Sequence, residues 1–203
     1  MQRYWLFLIT VATFAASCST NTPATTTTVP PPLATLELGA DGLGDVPFGL
    51  SPDDVITDIT ALYGSPDHDS EWIPSGDNIY GTCPGERMRA IGWGSLLTVF
   101  IDDGTSNLGG WFYTWTYGFD YSTNTGGIGP RELSLRTADG IGLGSTIVEL
   151  EAAWGADLAI TGDVELDTWS FISEANGLRG LLSGGTAEDT VTLLEPVVGC
   201  GEG

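Results

Sequence analysis

Apolar residues recur at helical spacing in one stretch that begins after residue 50. Val55, Ile59 and Leu62 are four and three positions apart, which places them on one face of a helix. Ser51 precedes the stretch as a helix N-cap, and Gly64 follows it as a C-terminal cap. The pattern predicts a helix that buries this face against a core.

A second stretch with helical spacing begins after Thr146. Ile147, Leu150 and Trp154 share one helix face, and Thr146 and Glu149 have the spacing of a capping box. The second predicted helix is shorter than the first by about one turn, so the buried face is preserved.

The two predicted helices belong to an internal repeat. The tetrapeptide DGLG at 41–44 precedes the first helix, and DGIG at 139–142 precedes the second. Strand-like stretches follow each helix in the same order. A chance recurrence in a glycine-rich chain is the alternative explanation.

Alternating apolar positions predict strands after each helix. They occupy 95–102, 108–117, 169–173, 178–182 and 189–198. Asn176-Gly177 is typical of a tight turn between strands, and Pro196 indicates an edge or a strand end. We therefore expect an α+β fold of two tandem modules, 37–120 and 121–203. Each is a helix followed by an antiparallel meander, and the meanders can join into one continuous sheet.

Every second residue from 111 to 121 is aromatic, and we call this set the aromatic stripe. Its members are Trp111, Tyr113, Trp115, Tyr117, Phe119 and Tyr121. On a strand they share one face, which either packs on the helices or forms a partly solvent-exposed binding surface. Because most of these rings carry a polar tip, we expect Trp115 and Tyr117 to be exposed. Trp111, Tyr113, Trp115 and Tyr117 are the candidate binding residues.

The N-terminal residues have the pattern of an export signal. Arg3 precedes an uncharged, mostly apolar run at 4–14, which is too short to span a bilayer. The run ends in AASC at 15–18, which resembles the bacterial lipobox. We expect 1–17 to be a lipoprotein signal peptide and Cys18 to be lipidated. Cleavage by an ordinary signal peptidase is the alternative.

The segment 18–36 lacks charge and is rich in Ser, Thr and Pro. Such a composition does not bury enough apolar surface to offset chain entropy, so it predicts a disordered tether. Anchor and tether together predict a protein at the extracytoplasmic face of a cell membrane. It would contact that membrane through its lipid alone.

The charge balance excludes several classes of function. The chain has 27 acidic residues, six arginines and no lysine, for a formal net charge of −21. Nucleic-acid binding needs clustered cations, so we expect no nucleic-acid partner. One histidine and three cysteines exclude sites built from several histidines. The sequence predicts no cofactor.

Two cysteines are left once Cys18 is assigned to the anchor. An exported protein meets an oxidising compartment, so Cys83 and Cys200 are expected to form a disulfide. Two buried free thiols are the alternative.

The loop DHDSE at 67–71 contains the single histidine, His68. Beside carboxylates it has the chemistry of a general base or a metal ligand. Asp67, Asp69 and Glu71 alternate like calcium ligands, but the glycine and distant glutamate of an EF-hand loop are absent. A solvated loop is the simpler interpretation.

One short phrase carries a resemblance to known families. The residues GLS at 49–51, a helix and then YGSP at 63–66 are similar to a phrase in small bacterial lipoproteins of the outer-membrane-assembly type. The same phrase occurs in tandem-repeat beta-lactamase inhibitory proteins, and two copies look more like these inhibitors. The resemblance covers about 38–118 and 133–200. It implies helix-plus-sheet modules that bind proteins through a sheet surface and do not catalyse a reaction.

These observations favour a lipid-anchored module that binds an envelope or extracellular protein. A structural or assembly lipoprotein of an envelope complex is the second hypothesis. A hydrolase of wall glycans is the third, but paired carboxylates occur in any chain this acidic and carry no diagnostic weight. We therefore expect the protein not to be an enzyme.

Overall fold

Two helices form where the sequence pattern predicts them. In the computed structural model, helix α1 spans Pro52–Tyr63 and helix α2 spans Ile147–Trp154. Ser51 caps α1, and Thr146 begins a capping box at α2. A 3₁₀ turn, Gly155–Asp157, follows α2. Within the described residues, no helix is long and apolar enough to cross a bilayer.

The structure describes residues 36–76, 78–120, 125–126 and 131–201. They belong to one compact unit, Leu33–Gly203. The expected signal peptide, Cys18, the tether up to residue 35 and Tyr121 of the aromatic stripe lie outside the described residues.

A small antiparallel sheet precedes α1. Its strands are β1 (Leu38–Gly39), β2 (Gly42–Leu43) and β3 (Val46–Pro47). Gly42 has a φ of 156°, and a Cβ atom there would lie 2.4 Å from the Val46 carbonyl oxygen. The glycine belongs to the repeated tetrapeptide at 41–44, so this copy of the motif permits a close approach of two backbones.

Nine strands form one larger antiparallel sheet. The first five are β4 (His68–Asp69), β5 (Ile73–Pro74), β6 (Arg87–Trp93), β7 (Leu96–Asp102) and β8 (Trp111–Tyr117). The short strands β9 (Phe119–Asp120) and β10 (Thr125–Gly126) pair separately. The last four are β11 (Leu158–Asp163), β12 (Thr168–Ser173), β13 (Leu178–Leu182) and β14 (Val191–Pro196).

The order of the strands in space joins the two parts of the chain. From one edge it runs β11-β12-β13-β14-β8-β7-β6, and β4 and β5 both pair with β6. Strands β14 and β8 meet through the pair Leu194 and Tyr117. The sheet is therefore continuous across residue 120, and the α+β class is confirmed.

Both helices pack on one face of the larger sheet. Val55 and Ile59 of α1 and Leu150 of α2 are fully buried in one core with Phe100 and Phe171 of the sheet. Burial of large apolar side chains like these is the main stabilising contribution to the fold.

A β-bulge interrupts the regular alternation of strand β8. Val99 of β7 pairs with Thr114, but Phe100 pairs with Phe112, so Tyr113 has no counterpart on β7. An extra residue of this kind shifts the following side chains to the opposite faces of the sheet.

The bulge divides the aromatic stripe between two faces. Trp115 and Tyr117 point to the helices and have 0% of their surface exposed. Trp111 and Tyr113 are partly buried against the other face. The prediction that Trp115 and Tyr117 are exposed is wrong, because one inserted residue turns them into the core.

Candidate functional site: a groove on the open face of the sheet

We call the face of the larger sheet opposite the helices the open face. Over β6, β7 and β8, two segments lie on it, 79–83 and 198–201, which we call the covering segments. The Thr114 hydroxyl donates to the Val198 carbonyl at 3.2 Å, and the Tyr113 hydroxyl donates to the Gly199 carbonyl at 3.4 Å. These segments therefore cover the part of the open face that β6, β7 and β8 form.

A disulfide joins the covering segments. Cys83 and Cys200 are bonded, which confirms the predicted pair, and their Cα atoms are 4.3 Å apart. Beside them, Thr82 and Gly201 exchange two backbone hydrogen bonds of 2.9 and 3.0 Å. A Cβ atom at Gly81 would lie 2.7 Å from the Gly201 carbonyl oxygen, so this contact requires glycine. The covering segments thus form a fixed wall on the open face.

A groove of about 700 Å³ lies between this wall and the part of the open face that β11, β12, β13 and β14 form. Ile79, Tyr80, Phe119 and Cys200 line the wall side. The floor is made of alternate side chains from β11 to β14, namely Ala159, Thr161, Ser170, Ile172, Arg179, Leu181, Leu193 and Glu195. Aliphatic and hydroxyl side chains predominate, with one charged pair among them.

Strand register arranges the floor in rows. Ala159, Ile172, Arg179 and Glu195 lie opposite one another on successive strands. The neighbouring row consists of Thr161, Ser170, Leu181 and Leu193. Because a β-strand places every second side chain on the same face, the floor follows from the pairing of four strands rather than from one motif.

Arg179 and Glu195 form the charged pair of the floor. The Arg179 Nε atom donates to Glu195 Oε1 at 2.8 Å, and the Thr116 hydroxyl donates to Oε2 at 3.4 Å. The two charged side chains are 37% and 27% exposed, so a molecule in the groove reaches both. A pair this exposed contributes at most about 1 kcal/mol to stability.

The side chain of Tyr80, in the wall, contacts the imidazole ring of His68. The Nε2 atom of His68 lies 2.6 Å from the Tyr80 hydroxyl oxygen. Partial burial lowers the pKa of His68, and the neighbouring Asp69 carboxylate opposes this shift. Burial also raises the pKa of Tyr80. Both rings are therefore neutral near pH 7, and His68 positions the wall in this geometry.

The carboxylates of the loop 67–71 bind arginines and backbone. Asp69 accepts from Arg89 at 2.9 and 2.5 Å, and these hydrogen bonds lower the pKa of Asp69. Asp67 accepts the Gly94 N–H at 2.7 Å. Among the described residues, no three acidic, histidine or cysteine side chains converge as a metal site. These contacts attach β4 to β6.

The arginines of the described residues all bind within the protein. Four form ion pairs: Arg87 with Asp102, Arg89 with Asp69, Arg131 with Asp67 and Arg179 with Glu195. Arg136 donates to the Gly140 carbonyl and the Ser145 hydroxyl. Most of the described carboxylates therefore lie outside these four ion pairs, and the net charge of −21 makes the surface strongly negative.

The aromatic candidates and the groove are different sets of residues. Trp111 and Tyr113 pack behind the wall with the disulfide, and neither lines the groove. The floor was not predicted from the sequence, although the alternation of LRGLL at 178–182 already places Arg179 and Leu181 on one face. Comparison with protein-family models, with curated proteins and with solved structures finds no match to this chain.

Proposed function

We propose that this protein is a lipid-anchored module of the cell envelope that binds a protein partner in the groove of the open face. The observation that supports the proposal most directly is the half-covered sheet. One part of the open face lies under a disulfide-linked wall, and the other presents four strands of side chains to solvent. We assign no catalytic activity to it.

The side chains of the groove suit a protein partner. Ile79 on the wall is 52% exposed and Leu181 on the floor is 43% exposed. Exposed aliphatic side chains beside an arginine, a tyrosine and several hydroxyl groups have the mixed character of protein interfaces. The rigid wall and the paired strands lower the ordering cost of binding.

The net negative charge of this chain indicates the charge of its partner. A chain with a net charge of −21, whose described arginines bind its own groups, attracts cationic surfaces and repels anionic ones. The partner in this proposal is therefore a protein with a basic surface.

We further propose that the fold consists of two tandem modules. In each, a repeated tetrapeptide precedes a capped helix and then four or more strands. Their sheets meet between β8 and β14, where Leu194 faces Tyr117. The groove then belongs mainly to the second module, and the wall to the first module and the C-terminal residues.

Two matched variants test the groove. Leu181→Glu places a new carboxylate on the floor, whereas Val148→Glu places one on α2, where Val148 is 50% exposed. Each adds the same charge at a comparably exposed aliphatic position. We expect Leu181→Glu to lower capture of a salt-labile envelope protein at least about tenfold, because a desolvated charge opposes binding. Val148→Glu should capture it normally.

Equal capture by both variants would mean that the partner binds outside the groove, which would contradict the proposal. If the captured partner is stoichiometric and resists high salt, the alternative of a permanent assembly lipoprotein is favoured over an exchangeable binding module.

The anchor is tested by Cys18→Ala. Removal of the lipidated thiol should move the protein from the membrane fraction to the soluble fraction, because a tether without acyl chains has no membrane affinity. Cell fractionation and mass spectrometry of the wild-type N-terminus measure this. Unmodified wild-type protein in the medium would overturn the lipoprotein assignment.

A further inference from the structure

The strand β11 forms one edge of the nine-stranded sheet. It pairs with β12 over six residues, from Leu158 opposite Ser173 to Asp163 opposite Thr168, without a bulge. In an antiparallel strand, alternate residues direct their N–H and C=O groups away from the neighbouring strand. No second strand pairs with β11 among the described residues.

Edge strands are usually protected against pairing by proline, lysine or a bulge. The sequence of β11, LAITGD, contains neither proline nor lysine, and its ladder to β12 is regular. An edge of this kind accepts a further strand through main-chain hydrogen bonds.

Exposed apolar side chains lie at one end of this edge. Val164 and Leu166, in the turn between β11 and β12, are 82% and 71% exposed. These are the highest values for large apolar side chains in the part of the chain that the structure describes. A strand that extends past Asp163 would cover part of this surface.

Acidic residues flank both ends of β11. Asp157 and Glu174 lie at its beginning, since Ser173 pairs with Leu158, and Asp163, Glu165 and Asp167 lie at its end. All five are exposed, and no arginine or lysine occurs in the sequence between Arg136 and Arg179. The edge is therefore bordered by uncompensated negative charge.

This charge also opposes pairing between two copies of the chain. A symmetric antiparallel pair of β11 strands would place Asp157 of one copy beside Asp163 of the other. Like charges that face each other across strands are destabilising.

We propose that the free edge of β11 accepts an extended segment of a protein partner, about six residues long, with lysine or arginine at both ends. The inference rests on the proposed protein-binding function for its biological context. Its contacts, however, are backbone hydrogen bonds at the edge and not side chains in the groove.

A synthetic peptide tests the edge on the full chain. The probe has an alternating valine and threonine core with two lysines at each end, and the control peptide carries glutamates in place of the lysines. We expect the lysine peptide to slow amide hydrogen exchange in 158–163 and to leave 193–195 unchanged. The glutamate peptide should have no effect.

Charge-matched variants separate edge binding from general attraction to an acidic protein. Asp157→Asn with Asp167→Asn should weaken binding of the lysine peptide about fivefold. Asp53→Asn with Asp58→Asn on α1 removes the same charge from exposed positions and should change it less than about twofold.

Several results would overturn the proposal: equal effects of the two variant pairs, protection outside β11, or a dimer of the free chain that protects 158–163. The Leu181→Glu variant should still bind the lysine peptide. If Leu181→Glu abolishes binding of the lysine peptide, the peptide binds in the groove and the edge proposal is wrong. If Leu181→Glu leaves capture of the envelope protein unchanged but the peptide still protects 158–163, only the groove proposal fails.

Discussion

Replacement of Trp115 by alanine is expected to lower the free energy of unfolding by about 3–5 kcal/mol. The side chain is fully buried in the main core. Its indole N–H lies 2.9 Å from the Gly39 carbonyl oxygen and 3.0 Å from that of Gly42. The substitution removes apolar contacts, leaves a cavity and deprives these carbonyls of a buried donor.

Trp111→Ala is the matched control for this measurement. Trp111 belongs to the same strand and the same aromatic stripe, but it is only partly buried on the other face. Denaturant unfolding should show a clearly smaller loss for Trp111→Ala than for Trp115→Ala. If Trp115→Ala unfolds like the wild type, Trp115 lies on the surface, as the polar tips of the aromatic stripe led us to expect.

Loss of the disulfide is expected to have an effect of similar size. Cys83 and Cys200 are 117 positions apart, and closure of a loop of that length corresponds to about 5 kcal/mol in chain-entropy models. The double replacement by serine should also loosen the covering segments and therefore the wall of the groove.

Reductant provides the control for the disulfide. Wild-type protein in strong reductant should unfold at the same denaturant concentration as the double serine variant, and the variant itself should not respond to reductant. Non-reducing mass mapping that finds both thiols free would contradict the assignment.

The helices were predictable because their signals are local. Ser51 and Thr146 cap from adjacent positions, and the apolar spacing that follows needs no knowledge of the rest of the fold. The disulfide was also predictable, since the expected lipidation of Cys18 leaves two cysteines, and such a pair is expected to oxidise in an exported protein.

The orientation of the aromatic stripe was not predictable from alternation. Its side chains change face because Tyr113 forms a bulge against β7, and the pairing of two strands determines where a bulge occurs. Nothing in the six alternating rings distinguishes Trp111 from Trp115.

Several strands and the groove also escaped prediction, and the two longest of these strands are β6 and β11. Strand β6, Arg87–Trp93, is buried on both faces over most of its length and so lacks an alternating pattern. Strand β11, Leu158–Asp163, is a mostly exposed edge with a glycine in it. The groove depends on residues 198–201 folding back over β8, a long-range contact that no local pattern specifies.

We expect a protein partner to occupy the groove of the open face. Hydrogen–deuterium exchange of the full chain with and without the captured partner tests it most directly. We expect slower exchange in 79–81, 170–172, 179–181 and 193–195, with α1 and α2 unchanged. Protection confined to α1, α2 and the small sheet before α1, with the groove segments unchanged, would contradict it.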